Sequence, residues 1–206
     1  MVVPVYTSLS NPFEPSLLVT VCWAMVLCPF PFDGLGDTQR TVRSGLAKVG
    51  ETRKEGNGAV TIHQLINRED SDFNKLNDIA TFFAREQGAD VILTPKMSRP
   101  PKFQYECVYG SLVGIKYEGK CPDLCINGVW YEHEGFTSTN PKNAFRNMMR
   151  DGLIQCDSLI IDRPELTERF MLRSIIGRVK RVEAIKEVWL KDKDGTIKLL
   201  YKNTGG

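Results

Sequence analysis

An Asn-Gly pair at residues 127 and 128 stands between two runs rich in β-formers, residues 123–126 and 129–132. A two-residue type I′ turn needs positive φ at both positions, which Asn and Gly tolerate best, so the pair is a strong local signal for a β-hairpin. The turn fixes the register. Ile126 then faces Val129, Cys125 faces Trp130, Leu124 faces Tyr131 and Asp123 faces Glu132. Side chains alternate across a strand, so Glu134 shares the face of Glu132 while His133 points the other way. Asp123, Glu132 and Glu134 therefore converge, although like charges set opposite one another in a sheet cost a few tenths to about 1 kcal/mol.

A divalent cation offsets such a cost. Mg²⁺ or Mn²⁺ takes carboxylate oxygens while keeping waters, polarises a phosphoryl group and lowers the pKa of a bound water. The competing explanation is a sheet face whose carboxylates are solvated or paired with Lys and Arg. Neighbouring features favour phosphate chemistry. Lys142, Arg146 and Arg150 recur four residues apart on the next expected helix, opposite Phe145, Met148 and Met149, and that helix's N-terminus attracts anions. Thr137, Ser138, Thr139 and Asn140 add hydroxyl and amide groups of the kind that bind phosphate and sugar, or that cap a helix. Glu86, beside Phe82 and Phe83 on the first expected helix, is a weaker addition to the acidic set.

The rest of the chain reads as a mixed α/β (α+β) domain. Residues 72–88 have helical spacing at Phe73, Leu76, Ile79, Ala80 and Phe83 and stop at Gly88. Residues 90–95 read as a short buried strand, 96–105 as a basic loop kept irregular by two prolines, and 111–119 as a further strand. Asn140 and Pro141 open a helix that Gly152 ends; residues 158–162 form a strand; Pro164 opens a helix to about Lys180; and a hairpin around Asp194-Gly195 closes the chain. From residue 72 the order is helix, three strands, helix, strand, helix, two strands, which implies a mixed sheet covered by helices.

The compact domain is expected over residues 60–203. Residues 34–58, rich in Gly, Lys, Arg and Thr, read as a linker, and residues 1–59 as an arm. The uncharged apolar run at residues 17–32 spans 16 residues, short of the roughly 20 that cross a membrane, and no basic residue precedes it, so it is a poor signal peptide. Six cysteines without paired CxxC motifs suit free thiols in a reducing compartment; Cys121 and Cys125 flank the acidic motif and are the one pair placed for a metal. Hydrophobic content of 42% and charged content of 25% fit a globular domain rather than a disordered or membrane class. From residue 140 onward 14 basic residues oppose 9 acidic ones, a mild tilt compatible with a polyanionic partner.

The Pro122-Asp123 pair followed by Glu132-His133-Glu134 resembles the Pro-Asp/(Asp or Glu)-x-Lys signature of restriction-endonuclease-like nucleases, whose core has a similar element order. Residues 119–148, the strand at 158–162 and the terminal hairpin together resemble the C-terminal transfer-RNA nuclease domain of contact-dependent growth-inhibition toxins, over roughly residues 72–202. That resemblance implies catalytic acidic residues at Asp123 and Glu132, an Asn-Pro-x-Asn element at Asn140, Pro141 and Asn143, cleavage of RNA inside a competing cell, and a cognate immunity protein. It also implies a cytoplasmic site of action reached by a specialised secretion route. Glu134 occupies the place where many nucleases of this signature carry Lys. The expectation is a metal-dependent nuclease acting on RNA, with Asp123, Glu132 and Glu134 as metal ligands and catalytic residues. Glu86 assists, and Thr139, Asn140, Lys142, Asn143, Arg146 and Arg150 hold the substrate. A metal-independent variant uses His133 or Glu132 as base against the 2′-hydroxyl. His63, the other histidine, is expected to be structural. The alternative is a non-catalytic module that keeps the fold and binds nucleic acid or protein.

Overall fold

The computed structural model describes residues 50–181 and 184–204. The apolar run at 17–32 lies outside the described residues. At the hairpin, Asn127 and Gly128 have φ of 47° and 82°, the type I′ geometry expected of that pair. β4 (Leu124–Ile126) and β5 (Val129–Glu134) pair with the expected register, Leu124 to Tyr131, Cys125 to Trp130 and Ile126 to Val129. Around them lie β1 (Gly50–Glu55), β2 (Gly58–His63), β3 (Asp90–Leu93), β6 (Ser158–Asp162), β7 (Glu187–Lys191) and β8 (Ile197–Lys202). The eight strands form one sheet in sequence order. β2 and β3, β5 and β6, and β6 and β7 pair in parallel; the other neighbours are antiparallel.

Parallel neighbours need a crossover, and helices supply it. α1 (Phe73–Gln87) joins β2 to β3, α3 (Pro141–Gln155) joins β5 to β6, and α4 (Glu168–Val179) joins β6 to β7, while α2 (Lys102–Tyr109) lies between β3 and β4. The fold is mixed α/β, with helices on both faces of the sheet. On one face Leu76, Ile79, Ala80 and Phe83 of α1 pack on Val60, Ile62, Val91, Leu93, Leu124, Tyr131 and Ile160. On the other, Phe145, Met148 and Met149 of α3 and Met171 and Ile175 of α4 pack on Leu159, Ile161, Val188 and Leu190. Tyr105, Val108 and Tyr109 of α2 form a third cluster against Trp130, on that same second face. β6 is buried on both sides, which is why its sequence is apolar without alternation.

Five expectations are corrected. Residues 50–55, read as linker, form edge strand β1, so the sheet starts ahead of the expected boundary at 60. Their sequence contains no large apolar residue; the strand is held by its ladder to β2, by a Thr52–Thr61 hydroxyl bond at 2.9 Å, and by Arg53 donating to Asn77 at 2.7 Å and Thr81 at 3.0 Å. Residues 102–109, of which 102–105 were read as loop, form α2, and residues 111–119, expected as a strand, hold the end of a 3₁₀ turn at 110–112 and then further turns. Tyr105, Val108, Tyr109 and Leu112 stand at i, i+3, i+4 and i+7, and Pro101 precedes the first turn rather than interrupting it. α3 continues through Gly152 to Gln155. α4 begins at Glu168 behind a Thr167 cap, whose Oγ1 accepts from Phe170 N at 3.3 Å, and not at Pro164.

Candidate active site

The β4–β5 ladder stops one pair short of Asp123 and Glu132, and their carboxylates finish the job with side-chain bonds. Glu132 Oε2 accepts from Asp123 N at 3.1 Å, and Asp123 Oδ2 accepts from His133 N at 3.2 Å. Across the other edge, Thr94 N donates to Asp123 O at 3.0 Å. The two acidic residues are thus adjacent and locked to backbone, rather than standing as a simple cross-strand pair. Asp123 is 3% exposed, and its second oxygen, Oδ1, is buried without a hydrogen-bond partner. A buried acceptor left unmatched costs about 1–3 kcal/mol, more when charged.

The surroundings carry more negative charge than they neutralise. Burial raises the pKa of Asp123, outweighing the charge of Lys96 and the His133 N–H. Burial, then Asp123, then Glu134 push Glu132 up to about 9. Glu134 is pushed up to about 7 by burial, by Asp151 and by Asp123. It packs on α3 at Gly152, where an added Cβ would stand 3.1 Å from Glu134 Cγ. One ammonium answers this charge: Lys96 Nζ lies 3.8 Å from Asp123 Oδ1 and 3.6 Å from Asp72 Oδ2. Burial works against its charge, but Asp123, Asp72, Asp70 and Glu132 more than compensate and raise its pKa. Asp72, Thr94, Lys96 and Asp123 line a cleft of about 120 Å³ between the start of α1 and the loop after β3. Neither Lys96 nor Asp72 carried a motif signal in the sequence; only the fold brings them to Asp123.

The other expected residues lie elsewhere. His133 points to the α1 face, where its buried Nε2 lies 3.2 Å from Asp162 Oδ1 and Lys191 Nζ lies 3.6 Å from the same oxygen. Burial works to raise the Asp162 pKa, but His133 and Lys191 outweigh it and hold it low. His133 is therefore engaged in a second network and does not face the carboxylates. Glu86 is exposed near the C-terminal end of α1, about 21 Å along the axis from the Asp72 end that meets Lys96, so it does not join the set. Asn140 Oδ1 caps α3, accepting from Lys142 N at 3.0 Å and Asn143 N at 3.2 Å. Thr137 Oγ1 accepts from Asn147, and Ser138 Oγ from Asn140 N. Lys142, Asn143, Arg146 and Thr139 are solvent-exposed, Lys142 standing 5.7 Å from the Phe170 ring. Arg150 is bound to Asp151, Nε to Oδ1 at 2.7 Å. Residues 136–139 with Lys193 also line an open groove of about 610 Å³. His63 is buried, its Nδ1 accepting from Leu65 N at 3.2 Å.

Asp123 Oδ1 is the feature that fits a hard cation: a buried carboxylate oxygen without a hydrogen-bond partner, on a residue whose backbone N–H is bound by Glu132. Among the described residues, no three His, Cys, Asp or Glu side chains are already gathered in a metal-holding group, Cys121 and Cys125 included. Cys121, Cys125 and Cys156 are free thiols. Among the described residues no helix is long and apolar enough to cross a membrane.

The chain is thus a mixed α/β domain with a buried Asp123 carboxylate lining a cleft, next to the half-buried Glu132. No protein-family model matches it, and no curated protein matches it either. A solved structure described as a CdiA-CT/CdiI toxin and immunity complex from Burkholderia pseudomallei is similar to it, with 19% identity over 64% of this chain and 85% of that chain and a TM-score of 0.40. This is a distant likeness and assigns no activity to the chain.

Proposed function

We propose that this chain is a metal-dependent nuclease that hydrolyses phosphodiester bonds in RNA, with transfer RNA the first substrate to test. The observation that carries the proposal is the buried Asp123 carboxylate, which lines a cleft with one oxygen unspent while Glu132 holds its backbone N–H. Asp123 and Glu132 would hold Mg²⁺ or Mn²⁺, with Glu134 beside them. Bound there, the ion polarises the phosphoryl group and acidifies a water. The residues around it do the remaining work. The His133 and Asp123 backbone N–H groups orient the two carboxylates, Gly152 lets Glu134 lie against α3, and exposed Lys142 and Arg146 meet phosphates. A toxin-like role with a cognate immunity protein as partner follows from the sequence resemblance and is part of the proposal.

The test is incubation of bulk transfer RNA and duplex DNA with the protein in Mg²⁺, Mn²⁺ or EDTA. Cleavage of RNA with either metal, none in EDTA, and a loss of 100-fold or more in Glu132→Gln support the proposal. Equal cleavage by Glu132→Gln removes the assigned site. The exposed Lys142 and Arg146 on α3 also suit a second reading, a binding module that keeps the fold. That protein would shift RNA in a salt-dependent manner without cutting it.

A further inference from the structure

The strand position two residues after Glu132 holds Glu134, so β5 itself brings no cation to the site. The loop after β3 does. Lys96 Nζ stands 3.8 Å from Asp123 Oδ1 and 3.6 Å from Asp72 Oδ2, both beyond the 2.7–3.2 Å of an N–H···O hydrogen bond. The ammonium is held by charge with its donors unspent on these two carboxylates. It is also accessible: the Lys96 side chain is 57% exposed while that of Asp123 is 4% exposed. Both line the same cleft.

The backbone just before this lysine is anchored to the residues leading into β4 and to α2. Thr94 N donates to Asp123 O at 3.0 Å, Thr94 Oγ1 donates to Pro122 O, and Tyr109 of α2 donates through its hydroxyl to Pro95 O at 2.6 Å. Tyr109 is itself fully buried. Such anchoring suits a group that must meet a reacting atom, since preorganised charge needs no reorganisation as the reaction proceeds. A lysine serving only to neutralise Asp123 and Asp72 needs neither an open cleft nor free donors.

We propose that Lys96 is the catalytic lysine of this site, contacting the scissile phosphate from the β3 loop in place of a lysine on β5. This rests on the nuclease reading. In the step, a water oxygen bonds to phosphorus while the bond from phosphorus to the leaving oxygen breaks with its electron pair. The water gives a proton to solvent and the leaving oxygen takes one from solvent. Lys96 keeps its protons, and its charge opposes the negative charge growing on the phosphoryl oxygens.

The experiment is transfer-RNA cleavage in Mg²⁺ by wild type, Lys96→Met and Lys96→Arg, with kcat and KM separated and folding followed by circular dichroism. Lys96→Met is expected to lose 100-fold or more in kcat with KM within threefold, and Lys96→Arg to recover at least tenfold of that loss. If Lys96→Met fails to fold, Lys96→Gln, whose amide keeps a donor towards Asp123, is read instead with the same expected loss. An active wild type with Lys96→Met or Lys96→Gln cleaving within threefold of it overturns the lysine's role and leaves the nuclease reading standing. A wild type that cuts neither RNA nor DNA in Mg²⁺ or Mn²⁺ overturns both.

Discussion

Glu132 binds a proton at pH values where an unfolded chain has already lost it. Its pKa is raised to about 9 and that of Glu134 to about 7, from an ordinary 4.5. Between those limits the folded protein holds more protons than the unfolded one, so stability falls as pH rises. Below the ordinary carboxylate pKa both states are protonated and the stabilising difference is complete. In metal-free buffer the melting temperature is therefore expected to fall from pH 5 to pH 9, and calorimetry across that range checks it. Glu132→Gln keeps an acceptor for Asp123 N and needs no proton on folding, so it should raise stability at pH 8 by roughly 1–2 kcal/mol or more and flatten the pH profile. A variant less stable than wild type at pH 8 contradicts the charge account. At this scale the sequence was informative about Asp123 and Glu132, because the Asn127-Gly128 turn sets their register. It was silent about Lys96, which lies in an aperiodic loop, and misleading about Glu86, because helical spacing places a residue around an axis without saying which end meets the site.

At the level of elements, two glycines have checkable consequences. An alanine Cβ at Gly152 would stand 2.6 Å from Leu159 Cδ2 and 3.1 Å from Glu134 Cγ. Gly152→Ala should therefore cost about 1–3 kcal/mol by denaturant unfolding and displace Glu134. At the hairpin, Asn127 carries a φ of 47° and its Oδ1 accepts from Asp90 N at 2.9 Å, tying the turn to β3. Asn127→Ala should lose about 1–2 kcal/mol by the same measurement, combining a left-handed penalty with the lost bond. The elements that the sequence made legible are those with one apolar side and standard end signals: α1 with Gly88 and the Asn140-capped start of α3. β1 was hidden because an edge strand can be all polar, and α2 because it is short and follows Pro100-Pro101. Gly152 was taken for a helix stop; packing against β6, invisible before folding, keeps it inside α3.

For the whole molecule, the proposed function assigns chemistry to the acidic cleft and binding to the exposed basic side of α3. Lys142 and Arg146 are exposed, whereas Arg150 is committed to Asp151, so the stripe of three offers two cations with open access. In an Asp123→Asn background, replacing Lys142 and Arg146 with Glu should weaken RNA binding by at least tenfold at low salt. It should also lower the slope of log affinity against log salt by about 1 per lost phosphate contact. Unchanged affinity in a filter-binding titration would move the nucleic-acid surface elsewhere, the groove at residues 136–139 being the next surface to test.

In the proposed function the unspent Asp123 oxygen holds a cation for phosphodiester hydrolysis. The most direct measurement is transfer-RNA cleavage by wild type and Asp123→Asn, each with Mg²⁺ and with EDTA. Wild type is expected to cleave in Mg²⁺ alone, and folded Asp123→Asn to lose at least 100-fold. Cleavage by Asp123→Asn at the wild-type rate, or wild-type cleavage unchanged in EDTA, would contradict this role of Asp123.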